Sequence, residues 1–184
     1  ASAGTSNFRA GVNAGNSIQS GGNYNVAVGD EAGTAITTGD QNVLIGYGAG
    51  VAITTASDNT AVGYNNLANN TSGASNVALG SRSMQANTEG ASNVAVGFQS
   101  LTTDTLGSRA VAVGQGALSS QNFTSATNSY NVGIGYETGG AITTGVRSTL
   151  VGGLAGDALT TGTDNVAIGY AALTTETSGG RSVA

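Results

Sequence analysis

The sequence predicts an all-β fold, a parallel β-solenoid or β-roll of about ten 17-residue coils, and three observations predict it. The first is a count. Gly11, Gly29, Gly46, Gly63, Gly80, Gly97, Gly114, Gly135, Gly152 and Gly169 each close a short apolar run, with gaps of 18, 17, 17, 17, 17, 17, 21, 17 and 17 residues. The second is alternation ahead of each glycine, where β-branched residues stand one and three places before it: Val26 and Val28, Val43 and Ile45, Val94 and Val96, Val166 and Ile168. The third is composition: 31 Gly and no Pro, in a chain where a proline would delete a ladder hydrogen bond in any coil that carried it.

Most repeats begin with an asparagine. Asn25, Asn42, Asn59, Asn76, Asn93, Asn131 and Asn165 head the strands and are expected to form a ladder, amide on amide, along the stack. Ala110 and Ser148 replace it in two copies. In the strand that follows, the β-branched pair shares one face. The small residue between them, such as Ala27, Ala61 or Ala95, points the other way and allows close approach. The closing glycine permits the bend into the next side of the coil.

The second half of the repeat has two forms. After Gly63, Gly80, Gly97, Gly114 and Gly169 a large apolar residue follows at the fourth place: Leu67, Met84, Leu101, Leu118 and Leu173. In the other copies that place is glycine, as at Gly33 and Gly50, and the apolar residue comes three later, as Ile36 and Ile53. A second short strand or extended side is expected here, packed back on the first and followed by a polar turn such as 71–75. The one large irregularity is an insertion of four residues within 119–130. Otherwise 1–184 reads as a single repeat array that starts and stops inside a repeat, so a longer fibre is expected around it.

Composition restricts the chemistry. There is no Cys, His, Trp or Lys, and five arginines face ten acidic residues. Scattered single arginines do not make a nucleic-acid surface. No run is apolar for the roughly 18 residues that a membrane helix needs, so no membrane insertion is expected of this segment. Without His or Cys, catalysis would need paired carboxylates. Asp30 and Glu31 are neighbours that face apart on an extended chain, and Asp40, Asp58 and Asp164 fall one to a turn. We therefore expect no enzyme, no cofactor and no metal site.

Coil size implies an oligomer. Seventeen residues at about 3.3 Å each give a perimeter below about 56 Å, room for about three large apolar side chains. At roughly 1.5 to 3 kcal/mol per buried side chain, against roughly 1 to 2 kcal/mol of backbone entropy per residue, a lone stack is marginal. More apolar surface, the alanine face included, is expected to be buried against other chains.

The pattern Asn-(Thr/Val)-Ala-(Val/Ile)-Gly-Tyr-x-x-Leu, at Asn59 to Leu67 and Asn165 to Leu173, resembles the repeats of tail-fibre-like proteins of bacteriophages and bacteria. It is also similar to the head repeats of trimeric autotransporter adhesins, whose motif is Asn-Ser-Val-Ala-Ile-Gly. The resemblance covers nearly the whole chain. It implies a left-handed parallel β-roll, three chains around one axis, and an extracellular place on a virion tail fibre or a bacterial surface. The 17-residue repeat is longer than most adhesin-head repeats, and the serine after the asparagine is usually missing.

The expected function is thus a structural segment of an extracellular attachment fibre. A phage tail fibre for host recognition is the first reading and a bacterial trimeric adhesin the second. Its partners would be copies of itself and a host surface glycan or protein. Candidate receptor or interchain contacts are the aromatics after the glycine, Tyr47, Tyr64, Phe98, Tyr136 and Tyr170, and two in the insertion, Phe123 and Tyr130. An ice-binding solenoid is a rival on account of threonine pairs such as Thr37-Thr38 and Thr54-Thr55, although Thr102-Thr103 and Thr174-Thr175 follow their leucines in another register.

Overall fold

Each apolar tripeptide ahead of a repeat glycine is a strand. The computed structural model describes residues 4–184. Ten three-residue strands, β1 (Phe8–Ala10), β2 (Val26–Val28), β3 (Val43–Ile45), β4 (Thr60–Val62), β5 (Val77–Leu79), β6 (Val94–Val96), β8 (Val111–Val113), β10 (Val132–Ile134), β11 (Thr149–Val151) and β12 (Val166–Ile168), form one sheet. Every pair is parallel and neighbours follow in chain order. Nine turns of chain therefore separate the first strand from the last, and the described residues contain no helix. The chain is a parallel β-solenoid.

Register follows the repeat. Val94, Ala95 and Val96 pair with Val111, Ala112 and Val113, which in turn pair with Val132, Gly133 and Ile134 across the longer gap. The insertion is thus absorbed between strands without shifting the sheet. Strand-to-turn bonds complete each rung: the Gly97 N–H donates to the Leu79 carbonyl at 2.8 Å, and the Val94 N–H to the Ala110 carbonyl at 2.9 Å.

The interior corrects one expectation. The alanine face does not look toward other chains; Ala27, Ala61, Ala78, Ala95, Ala112 and Ala167 are fully buried inside the coil, as are Leu44 and Leu150 in the same place. The β-branched residues on either side lie on the outer face, half-buried to exposed. The reason is volume. Leu67, Met84, Leu101 and Leu118 enter from the opposite wall and are buried in the same core, which leaves room for only a small strand residue across from them.

The second side corrects another. It is not a strand but a run of turns with left-handed residues two and four places after the closing glycine, for example Asn65 (φ 49°) and Leu67 (φ 50°), or Gly48 (φ 64°) and Gly50 (φ 56°). A β-branched side chain is poorly tolerated in that conformation. This accounts for the two repeat forms. The fourth place takes leucine, methionine or glycine, and isoleucine occurs only three residues later, outside the left-handed position.

Where glycine stands there, core side chains of its own and of adjacent coils fill the space. A Cβ on Gly50 would lie 2.8 Å from both Ile53 Cδ1 and Leu44 Cδ2, and one on Gly139 2.8 Å from Leu150 Cδ1 and 2.9 Å from Leu118 Cδ2. Where leucine or methionine stands there, the later place becomes polar and buried: Asn70, Asn87, Asp104 and Gln121.

The buried polar groups are bonded along the axis. Asn42 Nδ2 donates to Asn25 Oδ1 at 3.0 Å, and Asn59 Nδ2 to Asn42 Oδ1 at 3.2 Å. The amide oxygen also accepts the N–H of the equivalent residue one coil on, as Asn76 Oδ1 does from Asn93 at 3.0 Å and Asn93 Oδ1 from Ala110 at 2.8 Å. Asn76 Nδ2 donates across the coil to the Gly90 carbonyl at 2.9 Å. Substituting Asn76→Ala orphans one buried donor, the Asn93 N–H, while the Gly90 carbonyl keeps the bond from Asn87 Nδ2. It is expected to cost about 1 to 3 kcal/mol, read as a lower urea midpoint; Asn69→Ala, on an exposed residue, is the control and is expected to leave the midpoint in place.

Candidate functional site

The insertion folds onto the rod. Thr105 Oγ1 donates to Asn122 Oδ1, 17 places on, while Ser129 Oγ donates to the Ser108 carbonyl, 21 places back, so the extra residues lie between Asn122 and Ser129. There β9 (Thr127–Asn128) pairs in parallel with β7 (Gly107–Ser108), a two-stranded sheet of its own. Phe123, expected as a contact, is turned inward at 5% exposure, which corrects its place among the receptor candidates. Its N–H donates to Asp104 Oδ1 at 3.2 Å. Buried Asp104 also accepts from Gln121 Nε2 at 2.6 Å and from the Gly107 N–H at 3.0 Å, and three donors replace the cation it lacks. The sequence did not mark Asp104 as the anchor, because its column position is legible only once the coils are stacked.

The remaining aromatics are exposed, but not alike. Tyr47 and Tyr64 stack on each other, with centroids 5.6 Å apart and planes at 13°, and Arg82 Cζ lies 6.0 Å from the Tyr64 ring. Tyr130 is covered by Arg109, whose Cζ is 5.6 Å from the ring and whose Nη1 donates to its hydroxyl at 2.6 Å. Among the described residues, no ring or guanidinium lies over Phe98, Tyr136 or Tyr170. Tyr170 instead leans toward Gly153, where a Cβ would stand 3.6 Å from its Cδ2.

On the turn side of the coils a groove of about 430 Å³ is lined by Gln99, Gln115, Ser119, Ser120, Glu137 and Asp157 among others; Phe98 and Tyr136 stand in the column of Gln115, one coil to either side of it. Asp157 Oδ1 is buried there without a hydrogen-bond partner. The Tyr136 phenol is held above its usual pKa, first by its hydrogen bond with the Glu137 carboxylate and then by that group's charge, so it stays protonated at neutral pH.

The carboxylates singled out by sequence do not converge. Asp30 Oδ1 accepts the Val12 N–H, Glu31 Oε1 accepts from Asn13 Nδ2, and Asp40 Oδ1 accepts the Asn23 N–H. Asp164 takes a two-point bond from Arg147, Nε to Oδ1 at 2.6 Å and Nη2 to Oδ2 at 3.0 Å, one coil away. That hydrogen bonding holds the Asp164 carboxyl below its ordinary range, so any contribution is present at neutral pH and lost as pH falls through the lowered value. Among the described residues no three acidic groups gather as metal ligands.

Threonines stack more regularly than expected. Thr37, Thr54, Thr71, Thr88, Thr105, Thr143, Thr160 and Thr177 form one column, interrupted at Asn122. Thr37, Thr54, Thr71, Thr88, Thr143 and Thr160 each donate from Oγ1 to a threonine or equivalent carbonyl one coil on.

The outer sheet face is the other surface feature. From β2 to β12 the outward places carry Val, Ile, Leu or Thr and no charge, and Ile45, Ile134 and Ile168 are 37%, 40% and 64% exposed. The class these features define is a parallel β-solenoid repeat protein with an apolar outer face. No family model, curated protein or solved structure matches the chain.

Proposed function

We propose that the chain is a structural segment of an extracellular attachment fibre, a homotrimeric tail fibre for host recognition. The observation that carries this reading is the outer sheet face. It is charge-free, about 48 Å long and about 10 Å across, and so on the order of 450 Å², comparable with the largest apolar patches on monomers. It also has the coil spacing built into it. A partner that meets it along its whole length needs the same rise per coil, and a copy of the chain in register has that rise. The resemblance of the Asn-Val-Ala-Val-Gly repeats adds the number three and a left-handed roll.

The mechanism is mechanical. A rod without proline or lysine, bonded rung to rung, resists unravelling and proteolysis while it holds contact surfaces away from the particle or cell. The second reading, the head of a bacterial trimeric adhesin, is favoured by Asn165 to Gly169, Asn-Val-Ala-Ile-Gly. The ice-binding reading is weakened because the threonine column spends its hydroxyl protons on backbone carbonyls. Sedimentation equilibrium of the purified segment is expected to give three times the 17.7 kDa chain mass; a stable, folded monomer would overturn the assembly.

A further inference from the structure

We infer that the turn-side groove, together with Phe98 and Tyr136, is a binding site for an extended, neutral oligosaccharide. Four features converge on it. Phe98 and Tyr136 stand two coils apart, about 9.6 Å along the axis, with Gln115 between them in the same column. Both rings are about half-exposed and neither is covered by another ring or a guanidinium, which leaves ring surface for the CH faces of sugar rings. Alternate rings of an extended glycan present equivalent faces, which suits aromatic platforms set apart with a polar side chain between.

The groove supplies the hydrogen bonds. Gln99 and Gln115 offer amides that donate and accept, Ser119 a hydroxyl that does both, and Glu137 and Asp157 carboxylates that accept. A ligand rich in hydroxyls matches that set.

Charge restricts the ligand further. The lining includes two carboxylates and no arginine, so a sulfated, phosphorylated or uronic glycan would be repelled. The lining also spans the four coils that begin at Gly97, Gly114, Gly135 and Gly152, so the ligand runs along the rod axis. A peptide added as a β-strand is disfavoured, because the groove lies on the turn side and every internal strand of the sheet is already paired on both edges.

This inference deepens the attachment reading by naming a ligand class, and the site is complete within one chain. The test uses the purified segment with cellohexaose, chitohexaose and maltohexaose as neutral probes and a galacturonic acid hexamer as the anionic one, by saturation-transfer NMR and calorimetry. At least one neutral hexaose is expected to bind saturably. Its affinity is expected to fall at least tenfold in Tyr136→Ala and in Phe98→Ala, both surface changes checked by circular dichroism, and to hold in Tyr47→Ala.

The site is overturned if no neutral probe binds, if both groove variants keep full affinity, if Tyr47→Ala loses as much as they do, or if the anionic hexamer binds as tightly. Mass measurement on the same samples separates the two readings. A trimer that binds no sugar removes the site and leaves the fibre, and a sugar-binding monomer does the reverse.

Discussion

Gly97→Ala is expected to destabilise the rod by about 3 kcal/mol or more, lowering the melting temperature by on the order of 10 °C. Two costs add. Gly97 has φ +134°, a conformation that side chains rarely adopt, and a Cβ there would lie 2.5 Å from the Gly114 carbonyl oxygen and 2.6 Å from its carbon. Those are backbone atoms of the next coil. To clear them the coils must part, and the bond from the Gly114 N–H to the Val96 carbonyl, 2.7 Å long, would stretch with them. Gly153→Ala is the matched control, with its nearest neighbour the Tyr170 ring at 3.6 Å and no unusual φ. It is expected to change stability by less than about 1 kcal/mol. Thermal melts of the two variants beside the parent check the pair; equal melting of Gly97→Ala and parent would mean that the coils do not stack through their glycines.

Charging the outer face is the second large effect. The double variant Val62→Asp, Val96→Asp is expected to convert the assembly to single chains in sedimentation, while its far-UV circular dichroism stays that of the parent. Val62 and Val96 lie half-buried on the outer face of β4 and β6, so in a lone chain the new carboxylates keep access to water. In an assembly each would be enclosed without a cation, at about 3 to 5 kcal/mol apiece. Ser92→Asp, on an exposed turn residue, is expected to leave the mass unchanged. Persistence of the full mass in the double variant would place the contact on another face and remove the main support for the fibre.

Much of the fold was legible because a solenoid repeats its local chemistry. The spacing of Gly29 through Gly169 located every strand of the main sheet from β2 to β12, and Asn25, Asn42 and Asn59 stand in the ladder that their spacing suggests. The candidate site was legible only in part. Phe98 and Tyr136 were marked by their place after the glycine, yet nothing local distinguished them from Tyr47 and Tyr64, which stack on each other, or from Tyr130 under Arg109. Phe123 was marked only as a candidate contact within the insertion. Its ring is buried, and its N–H is held by Asp104, 19 places earlier.

The sequence by itself determined the period, the strands, the residues that share a face and the insertion, since these follow from spacing and from the two-residue alternation of an extended chain. Alternation names two faces but does not say which is inside. Only the tertiary structure decided that. Leu67, Met84, Leu101 and Leu118, held in left-handed turns on the far wall, fill the narrow interior, so the alanines face in and the valines and isoleucines face out. Volume inside a 17-residue coil is a property of two walls together, and neither wall's sequence states it alone.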